Sequence, residues 1–241
     1  MTKTAVVIGV GPVEGLGAYL GMQAAKKNLH VIIAGRTSDN LNAVVAAIES
    51  EGGHATAVVT DAVNEAGVKA LIKESEKIGP IDLAIYNAGN NFPGDFLSME
   101  SSYFENAWRV CTLGGFLFAR EAIKAMLARS SGTLLFTGAS ASMRGKPNFS
   151  AFTAAKAGLR AMAQSLAREF GPEGIHVGHV VVDGGIRGEK VITAYPQFVE
   201  SVGEDGLIGL KGIADAFMYL YKQPKNAWTH ELDLRTHKEN F

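Results

Sequence analysis

Ala5-Val-Val-Ile-Gly9-Val-Gly11-Pro-Val-Glu-Gly15-Leu16-Gly17-Ala-Tyr-Leu20 joins a short β-branched run to a turn rich in glycine, and an apolar-periodic helix follows. Glycines let a backbone turn tightly and approach a pyrophosphate, while the first turn of the next helix offers N–H groups and a positive dipole end. A glycine cluster alone is weak evidence. A strand before it and a helix after it make the nucleotide reading the better one.

The pattern repeats outward along the chain. Strand-like runs occur at 4–10, 30–34, 54–60, 81–86, 132–137, 175–182 and 230–235. Helical periodicity fills 15–28, 38–51, 64–78, 99–129, 149–171 and 209–222. Such alternation predicts an α/β fold of three layers, a doubly wound parallel sheet of about seven strands covered by helices on both faces. No linker, repeat or low-complexity stretch interrupts residues 1–241, so one domain is expected. Periodicity is weakest over 184–209, and an irregular insertion beyond the carboxyl ends of the strands is expected to form a substrate lid.

Composition narrows the function classes. The chain is 47% hydrophobic and 20% charged with a formal net charge of −1, and it carries no basic block, which argues against nucleic acid and membrane surfaces as partners. A single cysteine, Cys111, precludes an internal disulfide and fits a reducing cytoplasm. No stretch is apolar for long enough to span a bilayer, and the first strand begins by residue 4, so no signal peptide is expected. The six histidines show no metal-ligand spacing, and no metal site is expected.

The segment after the second strand reads Ala34-Gly35-Arg36-Thr37. A dinucleotide fold usually places a carboxylate near this point, where it meets the adenosine ribose. Here Arg36, with the Thr37 and Ser38 hydroxyls beside it, offers a charged fork to a 2′-phosphate, so NADP(H) is favoured over NAD(H).

With these residues placed, the chain resembles the short-chain dehydrogenase/reductase family over nearly its whole length. Gly11-x-x-x-Gly15-Leu16-Gly17 matches the family's cofactor turn. Asp61-Ala62 matches the position that meets the adenine amino group, and Asn87-Ala88-Gly89 matches the Asn-Ala-Gly signature. The resemblance implies a Rossmann-type sheet, a small-molecule substrate and a homodimer or homotetramer.

Around the reacting centre the chain departs from the family's pattern. Where the family has Tyr-x-x-x-Lys, this chain has Phe152-Thr-Ala-Ala-Lys156. A spacing of four puts both side chains on one helical face, so Lys156 can still bind the nicotinamide ribose while Phe152 has no proton to give. The family's serine falls at or next to Ser140, its helical asparagine on Cys111, and its Pro-Gly nicotinamide loop on Asp183-Gly184-Gly185-Ile186. Four departures at one site mark an atypical subgroup. Ser140, Ser142 and Tyr195 are candidate replacements in the proton path, Arg144 is a candidate partner for an acidic substrate, and structural roles are expected for His176 and His179. The expected activity is hydride transfer to or from a small carbonyl/alcohol substrate. Reduction of an activated double bond and silent cofactor binding are the alternatives. The alanine-rich face of 149–171 and the long 99–129 segment, with Trp108 and Phe116, are expected to meet a partner subunit.

Overall fold

The computed structural model describes residues 2–89, 91 and 93–239. In chain order the elements are β1 (Thr4–Ile8), α1 (Leu16–Ala25), β2 (His30–Gly35), α2 (Ser38–Ser50), β3 (His54–Val59), α3 (Glu65–Ile78) and β4 (Ile81–Tyr86). Then come α4 (Ser101–Trp108), a π-helical turn (Arg109–Leu113), α5 (Gly114–Leu127), β5 (Gly132–Thr137) and α6 (Ser150–Phe170). The chain continues through β6 (Ile175–Asp183), β7 (Gly185–Ile186), α7 (Glu189–Ala194), α8 (Pro196–Val202), β8 (Leu207–Ile208), α9 (Leu210–Tyr221) and β9 (Glu231–Arg235).

Seven parallel strands form one sheet in the order β3-β2-β1-β4-β5-β6-β9. Burial follows that order. The β1 and β6 strands are buried along their full length, whereas β3, at an edge, is only partly covered. Continuous apolar runs such as Ala5-Val-Val-Ile8 are therefore central strands covered on both faces. One face packs on α1, α2 and α9 through Leu20, Leu41, Val44, Ile48 and Phe217. The other packs on α3, α5 and α6 through Leu71, Phe118, Leu159 and Phe136. Each such fully buried aliphatic or aromatic side chain contributes about 2 kcal/mol. The predicted strands and fold class are those observed.

Two predicted features change. The 99–129 helix begins at Ser101 and is interrupted by the π turn, where the Gly114 N–H reaches back to the Arg109 carbonyl. The cause is visible in its neighbour: the Tyr86 hydroxyl, carried on β4, donates to the Val110 carbonyl, and Gly114 leaves room for that phenol. An intruding donor of this kind forces the helical ladder to re-register. The alanine-rich helix also spends part of its small-residue face inside the chain. Ala151, Ala155 and Ala163 are buried within the chain's own core, leaving Ala154, Ala157 and Ala161 as the exposed small-residue stripe.

Candidate active site

The sheet's neighbours diverge at β1, which pairs with β2 on one side and β4 on the other, and the crevice beyond their carboxyl ends is where an open α/β sheet binds its ligand. The glycine turn lies there. Gly9 and Val10 both donate backbone N–H groups to the Ala34 carbonyl at 3.0 Å, which fixes the turn against the end of β2. Gly9 has φ +91°, and a Cβ there would lie 2.3 Å from the Ala88 nitrogen, so only glycine lets β1 and β4 close. Gly17 packs as tightly, 2.9 Å from the Gly9 carbonyl oxygen to where its Cβ would be. Gly11 instead borders open space, and α1 begins at Leu16 with no side-chain cap from Gly15. That combination is a cradle for an anion at a helix N-terminus.

Arg36 is exposed at the end of β2 and makes no ion pair or hydrogen bond among the described residues; Thr37 beside it is exposed as well. Asp61 closes β3 with one carboxylate oxygen accepting the Val63 N–H at 3.2 Å, and Ala62 is buried. The polar groups of the crevice rim thus fit a nicotinamide dinucleotide.

A hydrogen-bonded chain links this turn to the reacting centre. Asn87 Nδ2 donates to the Gly9 carbonyl at 3.0 Å, Thr137 Oγ1 donates to Asn87 Oδ1 at 2.9 Å, and Lys156 Nζ donates to the Thr137 carbonyl at 2.8 Å. Asn87 therefore pins the ends of β1, β4 and β5 together. Thr137 was not legible as a site residue, although a threonine closing an apolar strand is the signal that could have found it. Lys156 is buried, with Nζ and the Cys111 sulfur both lying against Gly89, and burial pulls its pKa below the ordinary lysine value. The Phe152 ring lies one turn earlier on α6 with its centroid 5.7 Å from Nζ. The helical spacing therefore brings Phe152 and Lys156 together as the sequence predicts.

The turn Ser140–Ser142 packs between α6 and the end of β6. Ser142 is turned away: its hydroxyl donates to the Ala139 carbonyl at 2.7 Å, which removes it from the candidate proton path. Asp183 is a fully buried carboxylate at the end of β6. Arg144 Nη2 meets both Asp183 oxygens, at 2.8 and 2.9 Å. Arg144 thus has an internal carboxylate as its partner, which gives this candidate substrate anchor a structural role. Burial alone would raise the Asp183 pKa, but nearby Ser140 and the paired Arg144 guanidinium outweigh it and hold the carboxyl below its usual range.

Beyond Asp183, Gly184 and Ile186 lead into the 184–209 segment. Here β7 pairs with β8 in a two-stranded ribbon and the short helices α7 and α8 fill the gap between them. Tyr195 sits between those helices, partly exposed, and no described contact joins it to Lys156.

His176 and His179 lie buried within β6, in structural positions. His179 Nδ1 is 3.0 Å from Glu231 Oε2, and Arg160 donates to both Glu231 oxygens at 2.7 Å. Burial lowers the His179 pKa to about 4 despite that carboxylate, and the Arg160 hydrogen bond leads in lowering Glu231 to about 2. In the unfolded chain the histidine titrates near its ordinary ~6.5, so between ~6.5 and ~4 the unfolded state binds the extra proton. Stability is therefore fully present above that window and falls as pH drops through it, by about 3 kcal/mol for this group. His30 and His176, also lowered chiefly by burial, add in the same direction. Urea unfolding between pH 7 and pH 4 should show this decline, and a flat profile would contradict the buried neutral histidine. Among the described residues no helix is long and apolar enough to cross a membrane, and no group of three metal-ligating side chains converges.

Comparison with known proteins agrees with this geometry. The family model for short chain dehydrogenases matches residues 3–189. A short-chain dehydrogenase from Rhodopseudomonas palustris superposes with a TM-score of 0.83 at 34% identity, covering 98% of this chain and 99% of that one. A short-chain dehydrogenase/reductase of Armillaria gallica is 31% identical over 179 residues, 73% of this chain and 68% of its own. The archaeal alcohol dehydrogenase of Thermococcus sibiricus, solved with 5-hydroxy-NADP, shares the fold at 20% identity, with a TM-score of 0.85 over 100% of this chain and 99% of that one. The matched stretch spans about two thirds of the length of the first curated relatives. From the glycine turn to the lysine of α6, the chain belongs to the short-chain dehydrogenase/reductase family of oxidoreductases.

Proposed function

We propose that this protein transfers hydride between NADP(H) and a small carbonyl/alcohol substrate, with Ser140 and Lys156 at the reacting centre and Phe152 where relatives carry a phenol. The observation that carries the reading is the buried Lys156 ammonium, tied through Thr137 and Asn87 to the open glycine turn. The cofactor, when bound, supplies or takes the hydride. The chain's own residues do the rest. Gly11, Gly15, Leu16 and Gly17 receive the pyrophosphate on backbone N–H groups, Asp61 and Ala62 border the adenine, and Asn87, Ala88 and Gly89 wall the crevice. Lys156 holds the nicotinamide ribose, and Gly184 and Ile186 flank the ring. Holding the reactants together lowers the barrier by several kcal/mol even where no tyrosine donates a proton.

The unpartnered Arg36 supports NADP(H) as the preferred form, as does the nucleotide in the Thermococcus sibiricus alcohol dehydrogenase. NADPH should bind about tenfold or more tightly than NADH, since a charge-assisted contact to phosphate is worth about 1.5–3 kcal/mol, and Arg36→Ala should erase the difference. Fluorescence titration of both cofactors checks this, and equal affinities in the native protein would sink it. Hydride transfer itself is tested on a panel of ketones, alcohols and enones. The absent phenol gives double-bond reduction a specific claim, because there the proton goes to carbon; turnover confined to enones would favour it.

The assembly we propose is a homodimer or homotetramer. Phe104, Trp108 and Phe116, each about 40% exposed, continue along α4 and α5 beside the Ala154, Ala157 and Ala161 stripe of α6, a surface suited to twofold packing. Sedimentation at micromolar concentration should report a multiple of 25.5 kDa, and a clean monomer would contradict it.

A further inference from the structure

In a regular α-helix the Gly114 N–H would donate to the carbonyl four residues back, on Val110. That carbonyl already accepts the Tyr86 hydroxyl, so the Gly114 N–H reaches to Arg109 instead and the turn gains a residue. The phenol is not free to move aside. Tyr86 is fully buried on β4, and its ring packs against those of Phe118 and Phe136 at centroid distances of 5.9 and 6.4 Å. Gly114 admits it, since a Cβ there would overlap the hydroxyl oxygen. The two residues that follow Val110 both meet the surroundings of Lys156. Cys111 is buried with its sulfur 3.7 Å from where a Gly89 Cβ would stand, and Lys156 Nζ lies 3.3 Å from the same point. Thr112 Oγ1 donates at 2.7 Å to the carbonyl of Ala155, the residue before Lys156 on α6. Gly158 permits that approach, with a Cβ position only 3.0 Å from the same oxygen.

We infer that Tyr86 is a positioning residue for Lys156: its hydroxyl sets the register of the π turn, and the turn seats the lysine through Cys111 and Thr112. The inference rests on the reading in which Lys156 binds the nicotinamide ribose, and it adds the group that keeps the lysine there. Without the hydroxyl, the Val110 carbonyl is open to the Gly114 N–H and the helix can close to its ordinary spacing. Losing one residue of winding turns the preceding residues by about 100° around the axis. The Cys111 sulfur then leaves the Gly89 wall and Thr112 leaves the Ala155 carbonyl. Lys156 keeps its bond to the Thr137 carbonyl but loses the packing that fixes its stem. Arg36 lies outside this chain of contacts, at the end of a strand separated from β4 by β1.

Tyr86→Phe removes the hydroxyl and keeps the ring. NADPH should then bind roughly tenfold more weakly, the scale of one charge-assisted hydrogen bond. Adenosine 2′,5′-bisphosphate, which carries the adenine half without the nicotinamide ribose, should bind as it does to the native protein. Cys111 is the chain's single cysteine and reports on the free protein. Its labelling by a disulfide reagent should quicken roughly tenfold or more, because a local opening then suffices to expose it. Gly114→Ala drives the phenol off from the other side and should reproduce both effects. Leu71→Ala, which empties a buried position of α3 on the same sheet face, is the control for lost stability and should leave the ratio of the two affinities native. Native NADPH affinity in Tyr86→Phe, an equal loss for both ligands, or unchanged Cys111 labelling overturns the inference. A native protein that does not hold both ligands overturns it together with the NADP(H) reading on which it rests. One that holds both and shows the split, yet converts no ketone, alcohol or enone, overturns the hydride-transfer reading alone.

Discussion

Phe152→Tyr is expected to raise turnover of generic alcohol/ketone pairs by roughly 10²–10⁴-fold, the contribution of one positioned acid–base group. The ring already stands one turn before Lys156 on the same face of α6, with its centroid 5.7 Å from the ammonium. The ring is half-buried rather than sealed in the core, so the added hydroxyl should hardly change folding. Lys156, already short of an anionic partner, would favour the ionised phenol and tune it toward neutral pH. The gain should be read as kcat/KM for both directions, beside a melting curve and an NADPH titration. A variant that folds, binds NADPH as the native protein does and still converts no alcohol or ketone would remove most of the support for that chemistry. Double-bond reduction or silent cofactor binding would then lead.

Gly9→Ala should be the most damaging single methyl in the nucleotide half. It asks a non-glycine residue to hold φ +91° and places Cβ 2.3 Å from the Ala88 nitrogen and 2.6 Å from its Cα. Those neighbours are backbone, with no side chain to swing aside, so the ends of β1 and β4 must part. Strain and overpacking together predict a loss of about 3 kcal/mol or more. The Asn87 bond to the Gly9 carbonyl should go with it, so NADPH binding should fail even where the fold survives. Gly11→Ala is the matched contrast. A Cβ at Gly11 meets nothing within 4 Å, so stability should stay within about 0.5 kcal/mol while NADPH affinity falls, because the methyl occupies space meant for phosphate. Urea unfolding and cofactor titration of both variants decide the matter. A Gly9→Ala protein of native stability would contradict the geometry of the turn, and a Gly11→Ala protein of native affinity would move the pyrophosphate elsewhere.

How much of this could be read from residues alone follows from the range of each interaction. The seven strands, the glycine turn with its following helix, and the shared face of Phe152 and Lys156 are legible because each depends on neighbours a few residues apart. Strand burial shows as an unbroken apolar run, and a helical face shows as a spacing of four. The phenylalanine at position 152 is likewise a local fact. Periodicity gave no warning that the 99–129 helix would yield a π turn, because the cause is a phenol on β4, more than twenty residues away, donating to Val110. Nor could it show that Arg144 would meet Asp183; those partners stand about forty residues apart and come together only at the carboxyl end of β6. Local pattern therefore determined the fold and located the crevice. Tertiary packing decided which polar groups in that crevice remain free, because a buried charge takes the nearest opposite charge that the sheet brings to it.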